Sequence, residues 1–94
     1  MEIKIIQEET KGYAIAIENE LTAGKMTYSI AGNDFIIIDH TEVDPAFKGK
    51  AVGKQLLYKI VEMAREKNIK ILPLCPFANA LFQKTQDIQD VLKK

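Results

Sequence analysis

A chain of 94 residues has room for one domain and one hydrophobic core, and 47% hydrophobic against 28% charged residues is too apolar for a disordered chain. Thirteen Lys plus Arg balance thirteen Asp plus Glu, a formal net charge of zero. That balance excludes a global field for nucleic acid or an anionic membrane and confines any anion site to a local feature.

The purely aliphatic run Ile36 to Ile38 is far too short to cross a bilayer. The one cysteine, Cys75, cannot form an internal disulfide, and Met1-Glu2-Ile3-Lys4 lacks the basic start and apolar run of a secretory signal. A cytoplasmic location is therefore expected, with residues 1–94 forming one domain.

In chain order, Ile3 and Ile5, then Tyr13, Ile15 and Ile17, then Met26, Tyr28 and Ile30 recur with the period of two that marks strands. Glu18-Asn19-Glu20 and Ala31-Gly32-Asn33-Asp34 supply turn chemistry between them. With Phe35 to Val43 these segments predict a four-stranded antiparallel meander. Phe35 to Ile38 is apolar at every position, as expected of a central strand covered on both faces.

Asp44-Pro45 ends that strand, since proline cannot donate to a ladder and restricts the residue before it. The period then changes. Val52, Leu56, Ile60, Met63 and Ala64 fall at three- and four-residue spacings, an amphipathic helix of about four turns that stops near Lys67-Asn68. A strand from Ile69 to Leu74 follows, then a helix from Phe77 to Thr85 and a short third helix in the tail, Gln86 to Lys94. The strand-helix-strand crossover makes Phe35 to Val43 and Ile69 to Leu74 parallel neighbours, so the fold class is α/β.

Between strand and helix lies Phe47-Lys48-Gly49-Lys50-Ala51-Val52-Gly53-Lys54. Small residues let a ligand approach the backbone, first-turn amides lack partners, the helix dipole is positive there, and three lysines add charge. A phosphate fits such a loop; a solvated turn whose lysines aid solubility is the alternative. A Walker loop is excluded because Gly49 and Gly53 enclose only three residues and Gln55 follows Lys54. A dinucleotide fold needs three glycines and a longer sheet.

The loop resembles the pyrophosphate motif of GNAT acetyltransferases, Gln/Arg-x-x-Gly-x-Gly/Ala, with Lys48, Ala51 and Gly53 at its defining positions. His40-Thr41-Glu42-Val43 leading into it is similar to the small one-domain GNAT-like subfamily, and the resemblance covers nearly the whole chain. It implies a mixed sheet of four antiparallel strands plus one parallel strand that splays away, with two to three helices. It also implies acetyl-coenzyme A as acyl donor, with Glu42 and Val43 pairing to the pantetheine arm. The amides of Lys48, Gly49, Lys50, Ala51, Val52, Gly53 and Lys54 would hold the pyrophosphate.

GNAT proteins usually continue with Asn-x-x-Ala-x-x-x-Tyr-x-Lys. The matching residues run from Cys75 through Ala78 and Phe82 to Lys84. Ala78 and Phe82 are thereby implied to line the coenzyme site. Phe82 has no proton to give a departing thiolate, as the usual tyrosine does. Cys75 could take the acetyl group as a thioester, or it could simply line the pocket. His40 is a candidate partner for the thiol and Glu42 a candidate base; a local hydrogen bond and a solvated carboxylate are the alternative readings.

One His and one Cys define no metal site, so none is expected. The acceptor side, lacking the helices and strands that form it in typical relatives, is open. A protein amine or another amine could be acceptor, and a module that binds acyl-coenzyme A without catalysis is the second reading. Partners other than acetyl-coenzyme A and an acceptor are not expected: no nucleic acid and no membrane, with the chain a monomer or weak dimer.

Overall fold

The structure, a computed structural model, describes residues 1–93, so Lys94 of the expected tail helix lies outside the described residues. Strands β1 (Glu2–Gln7), β2 (Lys11–Glu18), β3 (Leu21–Ile30) and β4 (Phe35–Val43) form the antiparallel meander. Helix α1 (Val52–Lys67) crosses to β5 (Lys70–Pro73), which pairs parallel with β4, and helix α2 (Pro76–Lys84) follows. The sheet order is β1-β2-β3-β4-β5.

Local chemistry sets the boundaries. Asn19 and Glu20 both adopt positive φ, 53° and 67°, the two-residue hairpin geometry that follows the twist of β2 and β3. Asn68, at φ 58°, closes α1 in the left-handed conformation, with its amide on the Arg65 carbonyl at 3.2 Å and the Ile69 amide on Ala64 at 3.0 Å. The tail differs from expectation: Gln86–Val91 is a 3-10 segment. It is held by Arg65, whose guanidinium reaches Asp90 Oδ1 and Oδ2 and the Asp87 carbonyl at 2.6–3.0 Å, and by burial of Ile88 and Val91.

The core lies between α1 and one face of the sheet. Val52, Leu56, Leu57, Ile60, Val61 and Ala64 pack on Ala14, Ala16, Met26, Tyr28, Ile36, Ile38 and Ile71, all at most 2% exposed. Each fully buried Leu or Ile contributes roughly 1.5–3 kcal/mol of transfer free energy. Strand β2 turns its alanines, not Tyr13, Ile15 and Ile17, toward the helix. The expectation that β4 is covered on both faces is corrected: Ile36 and Ile38 are buried, while Phe35 and Ile37 stay half-buried because, among the described residues, no element lies over the second face.

Candidate functional site

The site begins where β5 leaves β4. Their pairing runs from Phe35 opposite Lys70 to Ile38 opposite Pro73. The amides of Leu74 and Cys75 then both donate to the Ile38 carbonyl, at 3.2 and 3.1 Å. Beyond that carbonyl β4 continues as Asp39–Val43, while the other chain turns into α2 at Pro76. The splayed wedge implied by the sequence is therefore present.

A β-bulge decides what the wedge contains. Tyr28 of β3 faces Ile38, yet the next pair is Thr27 with His40, so Asp39 is one residue extra. That extra residue reverses the alternation of side chains along the rest of β4. Thr41, opposite the buried Met26, joins the core side, and its Oγ1 lies 3.1 Å from Cys75 Sγ. His40 and Glu42 point to the other face, both about two-thirds exposed, with His40 Nε2 3.4 Å from Glu42 Oε1. The expected pairing of Cys75 with His40 is thus corrected to Cys75 with Thr41, and Glu42 is turned away from the thiol as well.

The same ladder identifies the free backbone groups. Asp44 donates to the Ala23 carbonyl at 2.8 Å; by the two-residue alternation of an antiparallel pair, Glu42 and His40 also bond toward β3. The amides and carbonyls of Thr41 and Val43 consequently face the wedge. On the wedge side the free backbone groups therefore belong to Thr41 and Val43 rather than to Glu42.

Cys75 is the N-cap residue of α2 and 5% exposed, its carbonyl accepting from the Asn79 amide at 2.9 Å. Ala78 and Phe82 are fully buried. They pack in the core beneath α2.

Below the wedge, Asp44 Oδ1 accepts from the Ala46 amide at 2.9 Å and starts a 3-10 turn, Pro45–Phe47, anchored by the buried Phe47 ring. Gly49 at φ 88° and Ala51 at φ 56° then bend the chain into α1. No side chain caps α1, so the amides of Val52, Gly53 and Lys54 lack an intrahelical acceptor. Lys50 is tied to Glu18 Oε2 at 2.8 Å, and that hydrogen bond holds the Glu18 carboxyl below its ordinary range. Lys54 lies over the Tyr58 ring, 5.7 Å from its centre. Gly53 does not face open space: a Cβ there would collide with the Phe77 ring of α2. Its lack of a side chain admits Phe77, and the sequence gives no sign of that contact.

On the opposite side of β4 an open groove of about 510 Å³ is lined by Ile15, Thr22, Lys25, Glu42, Val43 and Asp44. Among the described residues no three His, Cys, Asp or Glu side chains gather as metal ligands, and no helix is long and apolar enough to cross a membrane.

A mixed sheet opened at a bulged central strand, above an uncapped helix N-terminus, defines the class. The sequence profile of the GCN5-related N-acetyl-transferases matches residues 12–91, and the chain belongs to that family. A candidate GCN5-like N-acetyltransferase from Staphylococcus aureus is 41% identical, covering 96% of this chain and 87% of its own, with a TM-score of 0.72. The ribosomal-protein-alanine N-acetyltransferase of Brucella melitensis biovar Abortus 2308 shares the fold at 17% identity, covering 82% of this chain and 62% of its own, TM-score 0.70. A candidate streptothricin acetyltransferase from Bacillus anthracis str. Ames, solved with acetyl coenzyme A, shares it at 22% identity, covering 84% of this chain and 47% of its own, TM-score 0.64. The chain thus spans less than two thirds of these last two proteins. No protein of curated function matches the sequence.

Proposed function

We propose that residues 1–94 form one cytoplasmic acetyltransferase domain that binds acetyl-coenzyme A in the wedge and carries the acetyl group past Cys75. The observation that carries this reading is the bare run of β4 from Thr41 to Val43, which offers strand-like hydrogen bonds to an extended amide-bearing arm, with a thiol at its inner end. The amides of Val52, Gly53 and Lys54, with Lys48 alongside, suit a pyrophosphate.

Within this reading Cys75 Sγ attacks the thioester carbonyl. The bond from carbonyl to coenzyme sulfur breaks as the new carbon–sulfur bond forms, and the Cys75 proton ends on the departing thiol. An acceptor amine then takes the acetyl group and returns a proton to Cys75. Thr41 holds the sulfur at the wedge throughout. The acceptor in this reading is a protein amine or another amine. The near-complete burial of Cys75 against Thr41, and a Phe82 without a proton to donate, favour the second reading of a binding module that does not turn over.

Titration calorimetry with coenzyme A and acetyl-coenzyme A tests the binding step. The parent is expected to bind both, and Lys48→Glu to weaken both about tenfold by placing negative charge beside the pyrophosphate. Gly53 is a poor target, since any side chain there displaces Phe77. Absence of binding by the folded parent refutes the assignment. Mass spectrometry after incubation with acetyl-coenzyme A then separates the two readings: one acetyl group at Cys75, absent in Cys75→Ala, supports transfer, whereas binding with neither adduct nor turnover supports the module.

A further inference from the structure

The sheet has two edges, and the fold treats them differently. The outer edge of β5 is covered by the tail, where Leu92 bridges to Ile71 and the Lys93 amide donates to the Ile71 carbonyl at 2.8 Å. Among the described residues the outer edge of β1 is bare: β2 pairs with it on one side and α1 roofs one face. Beside it, between strand and helix, runs an open groove of about 470 Å³ bordered by Ile3, Tyr58, Glu62 and Arg65.

The outward-facing groups follow from the ladder. Glu8 donates to the Lys11 carbonyl at 2.8 Å. The even-numbered residues of β1 therefore bond to β2, and the N–H and C=O of Ile3, Ile5 and Gln7 face outward. An unpaired strand edge is a template for another strand, and natural sheets blunt it with proline, bulges or charge. β1 has no proline and no bulge against β2. Its charges, Glu2 and Lys4, are of opposite sign and both exposed.

Those two charges select one self-pairing. When Ile3 faces Ile3 of a second copy in an antiparallel pair, the outward groups meet, Glu2 stands opposite Lys4 of the second copy, and the twofold axis repeats the pair. Opposite charges facing each other across strands stabilise a pairing, and like charges oppose it. The neighbouring registers that also match the outward groups are worse. Centring on Lys4 sets Lys4 against Lys4, and centring on Ile5 sets Glu2 against Glu8.

We propose that two copies of this chain associate through antiparallel pairing of their β1 strands about Ile3, joining the two sheets into one. The contact is short and wet, so the dimer is weak and salt-sensitive. It leaves the wedge at the far side of the sheet free, and it does not depend on what that wedge binds.

The test is sedimentation velocity across a concentration series at low and high salt, on untagged or C-terminally tagged protein. Four forms are compared: the parent, Glu2→Lys, Lys4→Glu, and the double reversal. The parent is expected to show a concentration-dependent dimer that weakens in high salt. Each single reversal is expected to raise the dimer dissociation constant about tenfold or more by setting like charges opposite each other. The double reversal restores the pairs and is expected to return it to near the parent value. Circular dichroism checks that every form is folded, and amide hydrogen exchange is expected to show concentration-dependent protection at Ile3 and Ile5. A parent that stays monomeric throughout, single reversals that dimerise like the parent, or a double reversal no better than the singles would overturn the proposal.

Discussion

Thr41 is the side chain that meets the thiol at the wedge. Its hydroxyl, 3.1 Å from Cys75 Sγ, can solvate a thiolate that is otherwise almost shut away from water. Thr41→Val keeps the shape and removes that hydrogen bond. A hydrogen bond to a charged group contributes ~1.5 kcal/mol or more, so alkylation of Cys75 by a small thiol reagent is expected to slow about tenfold, with coenzyme affinity little changed. An unchanged alkylation rate would show that the hydroxyl does not reach the reactive form. The sequence made Cys75 and the lysine loop legible, through a lone thiol and a change of period. It hid Thr41, because an unmarked extra residue at Asp39 reverses which side chains face inward. Ala51 is a second case. A non-glycine residue at φ 56° costs about 1 kcal/mol, so Ala51→Gly is expected to leave stability unchanged or raise the melting temperature by a few degrees.

At the scale of elements, α1 is held by its ends as well as by its core face. Asn68 supports the left-handed turn that closes the helix; Asn68→Ala is expected to destabilise the fold by about 1 kcal/mol in chemical denaturation, and Asn68→Gly not to. Arg65 in the last turn ties the 3-10 segment to the helix, and its hydrogen bond holds the Asp90 carboxyl below its ordinary 3.8. A lowered carboxylate value stabilises the fold above the unfolded-state value and loses that contribution as pH falls through the lower folded-state value. Acid unfolding is therefore expected to steepen below pH 3.8, and Asp90→Asn to flatten the profile there. The effect is small because the pair is exposed. Helix α1 was legible from its apolar spacing and from Lys67-Asn68. The tail was not: Ile88 and Val91 are too few to mark a period, and what orders them is a side chain on another element.

For the whole molecule, the governing fact is a sheet that the described residues cover on one face only. Half-exposed Tyr13, Ile15, Ile17 and Ile37 lie on the uncovered face, where they keep some contact with water that a second layer would remove. The meander, the crossover and the parallel β4–β5 pair were all legible, since alternation, helical spacing and the handedness of connections constrain one another. Coverage was misread at β4, because four apolar residues in a row look the same whether one face is roofed or two. Small size and one-sided burial limit stability. Binding to the folded state alone then has a visible effect: coenzyme A at a hundred times its dissociation constant is expected to stabilise by about 2.7 kcal/mol, read as a shift in melting temperature that Lys48→Glu diminishes.

The contact between Phe77 and Gly53 has a mechanical consequence. Strand β4 and helix α2 part at the Ile38 carbonyl and are joined again, through α1, where that ring rests on the glycine. With the turn from Asp44 to Ala51 joining β4 to α1, three joints and three stiff members make a braced triangle, and a triangle cannot change its opening without deforming a side. The gap beside Cys75 is accordingly set by the skeleton before anything enters it, so filling it costs little ordering of the chain. Adding bulk at position 53 would prise that joint apart, so its effect would be felt as a change of span along the whole wedge.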